Sequence, residues 1–230
     1  MPPTGAPEPL GLSVAGLRVE AGGRVILDMP ALELRAGELV VLRGASGAGK
    51  TTALNAFAGI APVRSGRVAW GKTDLARLGA PARRAFRRER LGLVFQDYRL
   101  FDELDALENA SLAASWTPAR RRAALRAQAE RALNVLGLVS ARRRRTAVMS
   151  GGERQRVAVA RALATDPVAI LADEPTATLD RTNAEALAAD LAALAGRRTL
   201  IVVSHDPALI GRAGRVLTLA DGRIVEDSHA

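Results

Sequence analysis

The stretch GASGAGKTT, residues 44–52, constrains the fold of this chain more than any other feature. It follows an apolar run at 39–42 and precedes a segment of helical composition at 51–58. Glycines at such a junction let the backbone curl so that successive N–H groups point inward, and the helix adds its positive dipole end. A strand, the pattern G-x-x-x-x-G-K-T and a helix together indicate a phosphate-binding loop. A merely flexible turn would not explain a lysine and a threonine at the helix entry.

Each residue type in this loop has an expected contact with a nucleotide. Lys50 can reach the β- and γ-phosphates, the Thr51 hydroxyl can bind Mg²⁺, and Thr52 can add a further phosphate contact. A dinucleotide-binding turn is a poorer match, because that motif lacks the Lys-Thr pair. The residues expected to contact the nucleotide are Gly44, Ala45, Ser46, Gly47, Ala48, Gly49, Lys50, Thr51 and Thr52.

An acidic pair follows a second apolar run, at 168–172. Asp173 is expected at the carboxyl end of a buried strand, where parallel sheets bind their ligands. From there it can hold Mg²⁺ through water, and Glu174 can act as a general base on an attacking water. The pair therefore predicts nucleotide hydrolysis.

The pattern of apolar runs predicts the fold class, which is α/β. Runs at 39–42, 90–95, 168–172 and 199–203 alternate with helical segments, which indicates a mainly parallel sheet covered on both faces. Short extended runs at 12–42 predict an antiparallel β subdomain, and Asp221-Gly222 predicts a type I′ hairpin turn near the end of the chain.

We expect one domain over 12–230, preceded by a disordered tail at 1–11. A helical lobe is expected at about 97–150, with Pro118 in the first turn of a helix and Gly137 at its end.

Composition limits the classes of partner. The chain has no cysteine, so thiolate metal sites and disulfides are excluded, and neither a signal peptide nor an apolar run of about 18 residues is seen. The net charge of +9 could attract nucleic acid or anionic lipid. The arginine clusters lie among alanines, however, which favours solvated helix faces, and at three per cent aromatics the chain has few base-stacking side chains. These clusters are Arg83, Arg84, Arg87, Arg88 and Arg90, then 120–122 and 142–145.

The segment MSGGERQRVAVARAL, 149–163, resembles the signature motif of ABC-type ATPases, and the other motifs of that family follow in order. Gln96 matches the Q-loop, 177–180 (ATLD) the D-loop and His205 the switch position. The resemblance implies a P-loop NTPase fold of ABC type that takes ATP and Mg²⁺. It implies catalytic roles for Glu174, His205 and Gln96, and metal contacts from Thr51, Gln96 and Asp173.

The resemblance also implies a second copy of the chain as partner. In the family, each nucleotide lies in a head-to-tail dimer between the P-loop of one protomer and the signature of the other. Ser150 can cap a helix whose N-terminal N–H groups face an anion. The expected nucleotide contacts on this side are Ser150, Gly151, Gly152, Glu153 and Asp180.

The chain departs from the family pattern in two ways. Met149 and Glu153 stand where leucine and glutamine are usual. An aromatic residue that normally stacks on adenine is absent from 14–27, where Ala21 is nearest by count. We therefore expect weak base selectivity, with comparable turnover of GTP and ATP.

Residues 96–109 resemble the branch that contains lipoprotein-release, macrolide-export and cell-division ATPases. That resemblance implies a transporter ATPase on the cytoplasmic face of the cell membrane, bound to integral membrane permease subunits. Phe101, Leu104 and Leu107 are candidates for the permease groove or for the core. Two alternatives are a force-transmitting ATPase of cell-division type and, less favoured, a soluble ABC ATPase on nucleic acid, for which neither a tandem ATPase unit nor a coiled-coil insertion is present.

Overall fold

The computed structural model of the chain describes residues 8–229. Strands in this part of the chain are β1 (Leu12–Ala21), β2 (Arg24–Leu34), β3 (Leu39–Arg43), β4 (Ser65–Trp70), β5 (Thr73–Asp74), β6 (Leu91–Val94), β7 (Ala169–Asp173), β8 (Thr199–Val203), β9 (Arg215–Ala220) and β10 (Arg223–His229). Helices are α1 (Lys50–Phe57), α2 (Ala80–Arg90), α3 (Ala106–Ala110), α4 (Ala119–Val135), α5 (Gly151–Leu163), α6 (Arg181–Ala192) and α7 (Pro207–Ile210).

The central sheet has six strands in the order β10-β9-β3-β8-β7-β6. All neighbouring pairs are parallel except β10 with β9, which is the predicted hairpin around Asp221 and Gly222. Both turn residues have positive φ, 46° and 76°, as a type I′ turn requires. Successive residues of β3 enter two different hydrophobic cores, with Val41 in one and Val40 in the other. The prediction of a mainly parallel sheet covered on both faces is confirmed.

A second, antiparallel sheet has the order β2-β1-β4-β5 and forms the predicted β subdomain. Its inner face shares a core with α1. Trp70 is fully buried there, and its indole N–H donates to the Phe57 carbonyl oxygen at 2.8 Å. This bond satisfies the one polar group of the ring and fixes the antiparallel sheet against α1.

The helical lobe differs in detail from the prediction. Its first part is broken into α3 and a short 3₁₀ helix at 112–116, because the chain must turn before α4 begins. Pro118 is the N-cap of α4 and not a residue of its first turn. Gly137, at φ 73°, ends that helix as predicted. The arginines at 142–145 lie in turns, so their expected place on a helix face is wrong, whereas those of α2 lie on a helix without buried residues.

The predicted tail falls mainly on residues 1–7, outside the described residues. At its other end, Leu10 accepts a hydrogen bond from the Thr199 hydroxyl at 2.7 Å, and Gly11 accepts one from the Gly71 N–H at 2.9 Å. Within residues 8–229, no helix has the length and apolar character needed to cross a bilayer.

Candidate nucleotide-binding site

The P-loop runs from the end of β3 into α1, and two of its glycines cannot be replaced without collision. Gly44 has φ 150°, and a Cβ there would lie 2.1 Å from the Leu219 carbonyl oxygen. Gly49 has φ 99°, and a Cβ there would lie 2.9 Å from the carbonyl oxygen of Ile26. The loop therefore passes close to two other backbone segments, and only glycine allows this approach.

The start of α1 offers its backbone N–H groups to a ligand. Its N-cap, Gly49, has no side chain to bond them, and no acidic residue lies in the first turn. The Lys50 ammonium lies over the loop, where it donates to the carbonyl oxygens of Gly44 at 2.6 Å and Ala45 at 2.9 Å. This combination of open donors and a positive charge suits a phosphate group.

The acidic pair lies against the P-loop, as expected from the strand order. The Thr51 hydroxyl donates to Asp173 Oδ2 at 2.7 Å, so these two residues are neighbours. Hydroxyl and carboxylate oxygens are ligands that Mg²⁺ prefers, and Mg²⁺ is usually held by few protein groups together with phosphates. The donor set therefore fits the expected ion.

Glu174 follows β7 directly and turns into the cleft. Its φ of 46° is unusual for a residue with a side chain, and its N–H donates to the Val203 carbonyl oxygen at 2.9 Å. His205 Nε2 lies 3.8 Å from Glu174 Oε1. Partial burial raises the pKa of the Glu174 carboxyl, with a smaller contribution from Asp173, while His205 and Lys50 oppose the rise. A raised pKa moves a carboxylate toward the range in which it can take a proton from water at neutral pH.

These residues line one cleft of about 660 Å³ together with Gln96. The structure thus brings together the P-loop residues and the three predicted catalytic residues. The lining residues of the cleft are Ile26, Ser46, Gly47, Gly49, Lys50, Thr51, Thr52, Gln96, Asp173, Glu174, Ala177 and His205.

Sequence reasoning missed Ile26 as a residue of this cleft. The position singled out in place of the usual aromatic, Ala21, is exposed at the end of β1 and does not line it. Ile26 enters because its carbonyl oxygen lies next to both Gly49 and Gly222. Strand alternation could have placed Ile26 on one face of β2, but no local signal shows that this face meets the P-loop.

The signature segment begins α5 with a capping box. The Ser150 hydroxyl accepts from the Glu153 N–H at 3.3 Å, and Glu153 Oε2 accepts from the Ser150 N–H at 2.9 Å. Arg144 forms an ion pair with the same carboxylate. Partial burial opposes the shift, but the Ser150 N–H and Arg144 lower the pKa of Glu153. Within the described chain, 150–153 are not among the residues that line the P-loop cleft.

Asp180 forms the start of α6 beside the signature. Its side chain accepts from the Asn183 N–H at 2.9 Å and from Asn183 Nδ2 at 2.6 Å, and these bonds lower the pKa of Asp180. Asn183 Oδ1 in turn accepts from Arg156 of α5 at 3.0 Å. Asp180 is therefore fixed relative to the signature helix.

Comparison with known proteins agrees with this geometry. Residues 27–177 match the family model described as ABC transporter. The lipoprotein-releasing system ATP-binding protein LolD of Chromohalobacter salexigens is 40% identical over 205 residues, which cover 88% of this chain and 86% of that protein. The macrolide export ATP-binding/permease protein MacB of Bradyrhizobium diazoefficiens is 42% identical over 202 residues, but the chain spans only 30% of its length.

Among solved structures, a dimeric post-hydrolysis state of the ATP-binding cassette MJ0796 bound to ADP and Pi superposes with a TM-score of 0.84. It is 30% identical, and the match covers 95% of this chain and 98% of that one. The family match, these relatives and the P-loop cleft together give one conclusion. The chain belongs to the ABC transporter family, as an ATP-hydrolysing subunit.

Proposed function

We propose that the chain energises an export or lipoprotein-extraction transporter as an ATP-dependent head-to-tail dimer beneath separate membrane subunits. The observation that carries this proposal is the presence of two helix starts suited to an anion, at 44–52 and 150–153, which do not share a cleft within one chain. A single nucleotide can use both only if they come from two protomers.

Within one half-site, the residues divide the chemistry of hydrolysis. The Lys50 ammonium and the start of α1 bind the phosphates. Mg²⁺, when bound by Thr51, Asp173 and Gln96, supplies positive charge against the phosphate oxygens. The Glu174 carboxylate orients the attacking water and accepts its proton.

The opposite protomer completes the site. Its residues 150–153 place the start of α5 against the γ-phosphate, and Asp180 lies beside them on α6. Hydrolysis removes the γ-phosphate that joins the two protomers, so the dimer opens. His205, close to Glu174, is positioned to contact the γ-phosphate or the departing phosphate.

A groove beside the cleft is the proposed place for the membrane subunit. A cavity of about 620 Å³ joins the segment after β6 to α1, with Phe95 and Ile60 among its apolar lining. Ile60 and, on the neighbouring loop, Phe101 are about half exposed. Leu107 is buried in the main core, and Leu104 is partly buried. Phe101 is therefore the best groove candidate of the three residues considered, and Leu107 is a core residue.

The membrane partner is inferred from the named relatives, and a place at the inner face of the membrane belongs to the same proposal. LolD is named as part of a lipoprotein-releasing system and matches this chain over most of its length. MacB is named as a joined ATP-binding and permease protein, of which this chain matches under a third. We therefore place this chain beneath membrane-spanning permease subunits.

One observation favours a second candidate function. Helix α2 carries five arginines and no buried residue, which would suit phosphates of a nucleic acid. Salt-sensitive binding of DNA or RNA by the purified chain would favour the nucleic-acid role over the transporter.

A cell-division type role, in which the dimer transmits force without moving cargo, uses the same ATPase site.

The test is the Glu174→Gln variant, which keeps the shape of the side chain but removes the base. In saturating Mg-ATP we expect a stable dimer by light scattering, whereas the matched Glu174→Gln/Lys50→Ala double variant stays monomeric. Isolation of the Glu174→Gln protein from native membranes should recover a multi-span membrane protein. A monomer in Mg-ATP, both alone and beside that membrane protein, would overturn the proposal.

A further inference from the structure

A tight turn with unusual backbone conformation follows Gln96. Tyr98 has φ 58° and Arg99 has φ 50°, so two consecutive residues with side chains lie in the left-handed region. Such conformations cost free energy and persist where surrounding contacts impose them. The turn must therefore be fixed from outside.

Arg161 of α5 holds the main chain of this turn in place. Its guanidinium donates to the Tyr98 carbonyl oxygen at 2.6 Å and to the carbonyl oxygen of Arg99. Burial, and then the neighbouring charge of Arg99, lower the pKa of Arg161. The guanidinium of Arg154, the residue after Glu153 in the signature segment, lies 5.8 Å from the centre of the Tyr98 ring. The turn is thus attached to the signature helix.

The Tyr98 side chain reaches a different segment. Its hydroxyl forms a hydrogen bond with the Thr178 hydroxyl, which lies in the 177–180 segment after Glu174. A Cβ added at Gly151 would lie 3.8 Å from both the Tyr98 hydroxyl and the Thr178 carbonyl oxygen. The two hydroxyls therefore meet beside the signature as well.

The bond closes a ring that contains three predicted site residues. Strands β6 and β7 are paired up to Val94 and Ala172, and the hydroxyl bond joins the two segments again a few residues later. Between these two connections lie Gln96 on one side and Asp173 and Glu174 on the other. The hydroxyl bond therefore adds a second connection between two segments that are already joined through their strands.

We propose that Tyr98 and Thr178 are positioning residues whose hydrogen bond sets the place of Gln96 relative to Glu174 during ATP hydrolysis. The inference rests on the proposed role of Gln96. Neither hydroxyl lines the P-loop cleft, whereas Thr178 lines the adjoining cavity together with Gln96 and Asp173, so the bond acts on this half-site through the position of Gln96 and Glu174.

The test compares steady-state Mg-ATP hydrolysis by the full chain and its hydroxyl variants. Tyr98→Phe and Thr178→Val should each lower kcat about 3- to 10-fold with an unchanged KM, because each loses one neutral hydrogen bond. The same loss should lower Tm by only a few degrees. The double variant should be no slower than the slower single variant, since both changes remove the same bond. Thr178→Ser, which keeps a hydroxyl, should restore kcat to near the unmodified value.

A merely structural contact would lower Tm and leave kcat unchanged, or would change KM and kcat together, and either result would overturn the proposal. So would a normal kcat for Tyr98→Phe, equal rates for Thr178→Ser and Thr178→Val, or single effects that multiply in the double variant. Gln96→Ala separates this inference from the proposed function. If Gln96→Ala turns over ATP normally, the role of Gln96 fails and the inference fails with it. If Gln96→Ala is slow and Tyr98→Phe is normal, only the inference fails.

Discussion

The two anion-facing helix starts of this chain are built differently. Helix α1 begins at Gly49 with no side-chain cap and no acidic residue in its first turn, and Lys50 adds a positive charge. Helix α5 begins with a capping box in which Ser150 bonds the Glu153 N–H, and the Glu153 carboxylate lies in the first turn. Arg144 partly neutralises that carboxylate.

The difference teaches how one nucleotide site can be divided between two chains. At α1 the backbone donors are left for a ligand, and the lysine strengthens their attraction for phosphate. At α5 one donor is already used and a negative charge opposes an incoming anion, so the dipole effect is reduced. We therefore infer that the P-loop binds the nucleotide first and that the signature adds only to an occupied P-loop.

The largest expected effect tests this order directly. Lys50→Ala should weaken ATP binding to the monomer about 100-fold, because a charged contact to phosphate is lost. Ser150→Ala should leave the same Kd within about twofold, since the signature of a monomer does not contribute. Titration calorimetry with ATP in EDTA, which prevents hydrolysis, measures both. Equal losses in the two variants would show that one protomer uses both helix starts.

A second contrast concerns why two positions of the P-loop are glycine. Gly44→Ala should lower the free energy of unfolding by about 3 kcal/mol, because the new Cβ collides with the Leu219 carbonyl in addition to the backbone strain. Gly47 has φ 80°, and a Cβ added there would meet no atom within 4 Å. Gly47→Ala should therefore cost about 1 kcal/mol, from backbone strain alone. Guanidinium denaturation compares the two, and equal costs would mean that the Leu219 contact relaxes freely.

The capping box predicts a pH effect at the other helix start. The pKa of Glu153 is lowered from 4.5, so its stabilising contribution is complete above that value and is lost as pH falls through the lowered pKa. The fall in Tm between about pH 7 and pH 3.5 should therefore be smaller in Glu153→Gln than in the unmodified chain, by about 1 to 2 °C. Ser150→Ala is the control: it should cost about 1 kcal/mol already at neutral pH. An unchanged acid dependence in Glu153→Gln would show that other carboxylates dominate.

The features that the sequence predicted well are those that depend on residues close together in the chain. The P-loop glycines, the Asp173-Glu174 pair after β7 and the Ser150 cap all depend on local backbone geometry, so their spacing is visible in the chain. The parallel sheet was likewise predictable, because strands buried on both faces are apolar throughout.

What sequence did not show depends on contacts between distant segments. The Tyr98 hydroxyl and Thr178 are 80 positions apart, and nothing near either residue indicates the pairing. The sequence also did not indicate that Glu174 has a positive φ and donates its N–H to Val203 of the neighbouring strand. Arg142 to Arg145 looked like part of a helix by composition. Instead, the segment lies outside any helix, and the carbonyl oxygens of Arg142 and Arg144 accept from N–H groups at the start of α3.

The smallest expected effect concerns the base of the nucleotide, because Lys50 and the start of α1 are expected to bind the phosphates. Ile26 of β2 lines the cleft and is partly buried, and its aliphatic side chain offers no hydrogen bond to distinguish an amino from an oxo substituent. If the P-loop supplies most of the affinity, kcat/KM for ATP and GTP should agree within about threefold. Ile26→Ala should weaken both nucleotides by the same factor, because it removes apolar contact without changing polar recognition. A strict preference for ATP, or a fall in kcat/KM for only one nucleotide in Ile26→Ala, would mean that base-specific contacts contribute alongside the phosphate contacts of α1.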